Sequence, residues 1–211
     1  MLGIMIQVRL LREGVLILIA DTITVRLGDI CEIGSSKRVK MADYKSSGIP
    51  FLRSKEVIEL SKNQEISLQL FIDIEHYNKI DTKFRVPKID DILLTSVGTI
   101  GVPLQVSPDM LPFYFKDGNL IWFSNFSEKV NPKWLYHWLK SEIGQNEIHA
   151  FSIGSTQKAL TIESLRKIKL SIPSRENQDR VANVLENYSD YLQLSNRTIR
   201  KLSDTIQAFF R

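Results

Sequence analysis

The residue types that could do chemistry on a polyanion fall in two short stretches. Between Lys37 and Lys55, KRVKMADYKSSGIPFLRSK carries Lys37, Arg38, Lys40, Lys45, Arg53 and Lys55 against a single acid, Asp43, with Tyr44 and the turn formers Ser46, Ser47 and Gly48 among them. Such a segment can neutralise several phosphates while its polar side chains reach base edges. The same composition suits a solvated charge run, and both readings stand. In the second stretch Gly154 permits a tight turn, and Ser155, Thr156, Gln157 and Lys158 offer hydroxyl, amide and ammonium groups. Gln157 could pair bidentately with an adenine. These groups could equally brace the turn and cap a helix after Thr161. TSVGTIGV, Thr95 to Val102, reads first as a hairpin turn and second as a recognition loop.

No catalytic engine accompanies these stretches. The sequence has no glycine-rich phosphate loop, no Gly-x-Ser-x-Gly elbow and no metal-ligand pair at helical spacing. VGTIGV, Val97 to Val102, lacks the following helix and distant acid of a nucleotide site. One cysteine, Cys31, excludes an internal disulfide, and His76, His137 and His149 are too scattered for a zinc site. The expectation is a cytoplasmic, non-catalytic chain that holds no cofactor of its own. Its net charge of +4 fits a polyanionic partner without requiring one.

Three regions must position these residues. Residues 1–20 form an apolar leader that Arg9, Arg12 and Glu13 cut into runs too short to span a bilayer. It reads as a peripheral strand or an ill-fitting start site, and no membrane partner is implied. Residues 21–172 show short apolar runs broken by Gly, Pro, Asn and Asp, such as DILLTSVGTIGVPLQV and NLIWFSN, and read as a strand-rich domain. One helix interrupts it, NPKWLYHWLKSEIGQNEIHAF, opened by Asn131 as N-cap and Pro132 at the first helical position. A second, short helix is predicted from Thr161 to Lys167. Trp122, Phe123, Trp134 and Trp138 sit at apolar spacings that suit a core better than base stacking.

Residues 173–211 follow another grammar. After Pro173 and a capping Ser174 no Gly or Pro appears, so one long helix is predicted to the C-terminus. Val181, Leu185, Tyr188, Leu192, Ile199, Leu202, Ile206 and Phe209 alternate steps of four and three, with Ser195 alone breaking the register, which is a coiled-coil seam. A helix of another chain is the expected partner; folding back on its own domain is the alternative. The fold class is therefore α+β, a strand-rich domain followed by one long α-helix that forms a coiled coil.

Several strings stand in the order expected of one family. VRLGDICEIGSSKRV, SGIPFLRSKEV, VPKIDDILLTSVGTIGVPLQV, FSIGSTQKALTIESLRKIKLSIPS and NQDRVANVLENYSDYLQLSNRTIRKLSDTIQAFF together resemble the specificity (S) subunits of type I restriction-modification enzymes. The resemblance covers about Val25 to Arg211 and corresponds to one target recognition domain with one conserved spacer helix.

The resemblance implies that this chain reads one half of a bipartite target on double-stranded DNA. Its helix would set the spacing and dock a modification (methyltransferase) subunit and a restriction (endonuclease) subunit. S-adenosylmethionine, ATP and Mg would then belong to those partners. Gly154 to Lys158 match the family's Gly-Ser-Thr-Gln-Lys motif, and Lys37 to Arg53 fall where family sequences vary with specificity. With one domain and one helix where a full subunit has two of each, the chain looks like a half subunit, implying a homodimer and a palindromic target. Asn177-Gln178 stands where the family often has Glu-Gln. The rival reading is a silent recognition-domain protein acting only as a protein-interaction module.

Overall fold

A computed structural model describes residues 22–152 and 159–210. The chain runs β1 (Thr22–Arg26), α1 (Leu27–Ile30), β2 (Glu32–Gly34), β3 (Tyr44–Lys45), β4 (Ile49–Leu52), α2 (Ser54–Ser61), β5 (Phe71–Ile72), α3 (Ile74–Lys83), β6 (Ile92–Thr95), β7 (Pro103–Gln105), β8 (Tyr114–Phe115), β9 (Leu120–Ser124), α4 (Pro132–Lys140), α5 (Glu142–Ala150), α6 (Ile162–Lys167), β10 (Lys169–Pro173) and α7 (Arg175–Phe209). The leader, residues 1–20, lies outside the described residues.

Continuous apolar runs in β6 and β9 arise because both faces of their sheet are covered. That sheet is antiparallel in the order β2-β9-β6-β7. Side chains alternate across a strand, so Ile92, Leu94, Ile121 and Phe123 enter one core with Trp134, Leu135, Leu139 and Ile148 of the α4–α5 pair. Leu93, Leu120 and Trp122 face the other way, into a core with Leu52, Val57, Phe113 and Phe115. A second four-stranded sheet, β3-β5-β4-β8, pairs β4 and β8 in parallel and encloses a third core around Phe51, Ile72, Tyr77 and Tyr114. The α+β class stands, with the aromatics Trp122, Phe123 and Trp134 buried and Trp138 half-buried, as core residues. Cys31 is also buried, which pushes its thiol up to about 12.

The ends of the domain meet. β1 pairs antiparallel with β10 from Thr22 opposite Pro173 to Arg26 opposite Lys169, so α7 departs from the point where the domain closes on itself. Ser174 caps α7, its hydroxyl accepting from the Asn177 amide, and the helix runs 35 residues as one element.

Three helical expectations need correction. The single helix expected from Pro132 is two, α4 and α5, broken at Ser141. Ser141 adopts extended backbone and caps α5, accepting from the Gly144 amide at 3.1 Å. A side chain at Gly144 would strike the Trp138 carbonyl, so the tight bend depends on that glycine. Helices α2 and α3 fall where strands and turns were expected. They are short, and each buries few positions, Glu56 and Val57 in α2 and Tyr77 and Ile80 in α3. The expected caps hold at Asn131, which accepts from the Lys133 and Trp134 amides, and at Thr161, which accepts from Ser164.

Candidate nucleic-acid interface

The basic stretch begins as an extended segment after β2 that makes no ladder of its own. Its polar groups are satisfied by the ends of buried strands instead. Ser35 Oγ donates to the Leu120 carbonyl at 3.0 Å, Ser36 Oγ to the Phe115 carbonyl at 2.7 Å, and the Lys37 amide to the Tyr114 hydroxyl at 2.7 Å. Val39 then turns inward to the third core, which leaves Lys37, Arg38 and Lys40 exposed on a fixed backbone. Asp43 accepts from the Lys40 amide across a 3₁₀ turn, and Lys45 lies exposed on the short β3. None of these four cations makes an ion pair with another described residue.

Two other residues of the stretch are engaged within the domain. Tyr44 is half-buried with its ring 5.0 Å from Phe51, and burial pushes its hydroxyl up from the usual tyrosine range. Arg53 donates to both carboxylate oxygens of Glu56, Nη2 to Oε1 at 2.6 Å and Nε to Oε2 at 3.1 Å, while its amide donates to Oε2 at 2.8 Å. Burial alone would raise the Glu56 carboxyl; the Arg53 hydrogen bonds outweigh it and hold the group below the usual glutamate range. Arg53 thus stands at the N-cap of α2, where its amide and guanidinium donate to Glu56 and compensate a buried charge.

Ser155, Thr156, Gln157 and Lys158, with Gly154, lie outside the described residues. The segment that follows them is anchored: Ala159 bridges to Val97, and the Leu160 amide donates to the Ser96 carbonyl at 2.9 Å. The TSVGTIGV stretch is a hairpin turn between β6 and β7. Thr95 Oγ1 accepts from the Val102 amide at 3.0 Å, and Gly98 and Gly101 take φ of 74° and 84°, where a Cβ would be strained. Thr95 and Ser96 are buried; the Thr95 hydroxyl serves the turn, while Ser96 Oγ donates to the Gly118 carbonyl at 3.4 Å, so neither is presented to a ligand.

Sequence reasoning missed Phe84 and Arg85, which close a hollow beside the basic segment. Ser35, Lys37, Phe84, Arg85, Tyr114 and Trp122 line a space of about 190 Å³. Lys37 Nζ sits 4.6 Å over the Phe84 ring, and the Arg85 guanidinium 5.0 Å over Trp122. Arg85 also donates to Glu32 at 2.7 Å and to Ser124 Oγ at 3.2 Å. Beneath it Trp122 Nε1 donates to Asp91 at 2.8 Å; burial raises the Asp91 carboxyl despite that bond. Arg85 follows α3 directly, an element the sequence did not disclose, and nothing in its own neighbourhood marks it.

The junction of α7 with the domain is a polar lock. Gln178 is fully buried; its Oε1 accepts from the Asn131 amide at 2.8 Å, and its Nε2 donates to the Lys129 and Pro173 carbonyls at 2.9 and 2.8 Å. Asn131 Nδ2 donates to Asp179 at 2.6 Å, and Arg175 donates to Asp179 at 2.9 Å and to the Glu128 carbonyl at 3.2 Å. Those two donors hold the Asp179 carboxyl below the usual aspartate range. Two turns further along α7, Lys133 Nζ lies 2.9 Å from the Glu186 carboxylate.

The predicted seam divides at this junction. Val181 packs against the first core and Leu185 is half-buried. Tyr188, Leu192, Ile199, Leu202, Ile206 and Phe209 are each between 43% and 82% exposed. Among the described residues no helix is long and apolar enough to cross a membrane.

The family model described as the type I restriction modification DNA specificity domain matches residues 21–203. A curated protein of Haemophilus influenzae, named a putative type I restriction enzyme specificity subunit, is 31% identical over 166 residues, which are 78% of this chain and 39% of that protein. Among solved structures, the S subunit of a type I restriction-modification system from M. genitalium superposes with a TM-score of 0.57 at 13% identity, covering 82% of this chain and 40% of that one. The HsdS subunit from Thermoanaerobacter tengcongensis gives 0.57 at 16%, covering 84% and 39%. A chain from a structure of type I R-M system assembly gives 0.61 at 17%, covering 84% and 40%. The chain spans about two fifths of the length of these relatives.

Proposed function

The chain belongs to the type I restriction-modification DNA specificity family, and on that premise we propose that it selects the DNA sequence at which partner subunits act. The reading is carried by one observation: a satisfied polar junction fixes a 35-residue helix to a domain whose pinned surface segment presents four cations that make no ion pair with another described residue. Lys37, Arg38, Lys40 and Lys45 supply phosphate contacts that orient the domain on the duplex. Methylation and ATP-dependent cleavage, with S-adenosylmethionine, ATP and Mg, belong to the modification and restriction subunits docked by the helix.

The exposed stripe of α7 pairs with the same stripe of a second copy. Antiparallel packing would bury Tyr188, Leu192, Ile199, Leu202 and Ile206, which the single chain leaves exposed. The pair related by a two-fold axis would place two recognition domains at opposite ends and read a palindromic bipartite target.

Co-expression with a cognate modification subunit, followed by mapping of methylated adenines, tests the reading. A symmetric bipartite motif that disappears without this chain is the expected result. A stable complex that methylates no motif would point instead to an interaction module that has lost DNA binding.

A further inference from the structure

We propose that the C-terminal end of α3 and the residues after it form a second DNA-contacting surface, in which Phe84 touches a thymine methyl while Lys79 and Lys83 engage phosphates. This rests on the functional reading above and places part of its specificity on residues outside the basic segment.

Phe84 is 47% exposed and enters none of the three cores. It is nonetheless rigidly mounted: its amide donates to the Ile80 carbonyl at 2.7 Å, and Val86 and Pro87 just after it are buried. Apart from its contact with Lys37, the ring leaves nearly half of its surface in solvent on a fixed backbone, where a ligand can reach it. It separates two hollows, the one of about 190 Å³ already described and another of about 330 Å³ along α3, where it is joined by Lys79 and Lys83.

The charge around the ring selects the ligand. Lys79 and Lys83 are four residues apart, on one face of α3 and leading to Phe84, while Lys37 covers the ring at 4.6 Å. The acids of the larger hollow, Asp73 and Glu75, stand at the opposite end of the helix, where Asp73 caps it by accepting from the Glu75 amide at 2.7 Å. Lys37 is shared with the basic segment, so the two cationic surfaces are continuous.

A polyanion with apolar groups between its charges fits this surface. In the major groove of duplex DNA the apolar group on a base edge is the thymine methyl. Insertion between base pairs would need both faces of the ring, and Lys37 occupies one of them.

The test uses the complex of the full chain with its modification subunit, on the half-site found by methylation mapping. Replacing one thymine of the half-site by deoxyuridine removes its methyl and should weaken wild-type binding by about fourfold, the value of one buried carbon. Phe84→Ala should bind thymine and deoxyuridine equally, with a thermal melt matching wild type. Lys79→Gln and Lys83→Gln should each reduce the slope of log affinity against log salt by about one.

If wild type methylates a motif but these variants keep its thymine dependence and salt slope, the inference is wrong and the functional reading survives. Variants that keep DNA binding but release the modification subunit would make this surface a protein interface, which also overturns the inference. A wild-type complex that binds no DNA overturns both.

Discussion

The two halves of α7 share one heptad register, interrupted only at Ser195, and meet opposite fates. Near its root, Gln178 and Ala182 are buried, Val181 packs on the first core, and Asp179 and Glu186 are bonded to α4 or its cap. Beyond Tyr188 the same periodicity faces solvent. The difference shows that a seam read from spacing is a statement about one helix face, while the partner of each turn depends on what stands opposite. The basic stretch divides in the same way. Arg53 is bound to Glu56 inside its own domain, whereas Lys37, Arg38 and Lys40 stay exposed beside it.

Substitutions can break or sharpen this contrast. The largest effect is expected from Leu192→Asp combined with Leu202→Asp, which in the proposed dimer would place charges in a dry seam at a cost of several kcal/mol each. If that dimer forms, sedimentation should show wild type as dimer and the variant as monomer, while the domain melts within about 0.5 kcal/mol of wild type. A surviving dimer would mean that the exposed stripe is not the interface.

At the root, Gln178→Leu keeps the bulk but strips the Asn131 amide and the Lys129 and Pro173 carbonyls of their partners. A loss of about 3 kcal/mol is expected from the denaturant midpoint. A change under about 1 kcal/mol would show that water replaces the amide and that the lock is weak.

Arg53→Ala leaves the buried Glu56 carboxylate without its cation and should cost about 2 kcal/mol at neutral pH. It should also weaken a pH dependence. In wild type the lowered Glu56 pKa stabilises the fold above the usual glutamate range, and that contribution is lost as pH falls through the folded value. In the variant only backbone hydrogen bonds oppose the effect of burial, so less stability should be lost on acidification across that range. Parallel pH curves for the two proteins would remove the pair from the account.

Single alanines at Lys37, Arg38 and Lys40 should leave stability unchanged and lower the salt slope of DNA binding by about one each. An unchanged slope would take that residue off the DNA. The smallest effect belongs to Lys133→Ala. Its pair with Glu186 is more than a third exposed on the lysine side, so about 0.5 kcal/mol is expected in chemical denaturation.

Local signals were legible where one short segment contains both cause and consequence. Asn131-Pro132, Thr161 and Ser174 announce helix starts because a cap needs only its own next few amides. The β6–β7 hairpin was legible because Gly98 and Gly101 fall in positive φ within it. Helix α2 escaped because Arg53 stands at its N-cap and Glu56 reaches back to it, in place of a short polar cap. Helix α3 did carry a signal, Asp73 followed by Tyr77 and Ile80, but its exposed faces dilute the period. Strands of two residues, β3, β5 and β8, have no period to read.

By itself the sequence determined the α+β class, one long C-terminal helix, its apolar stripe and the absence of the common catalytic motifs, because these depend on residue type and spacing along one segment. Tertiary structure alone decided which cations stay exposed, that Gln178 locks the helix to the domain, and that Phe84 stands between two hollows. Each of these joins residues far apart in the chain, as Lys37 meets Tyr114 and Asn131 meets Gln178, and no local pattern encodes which distant group will satisfy a buried polar atom.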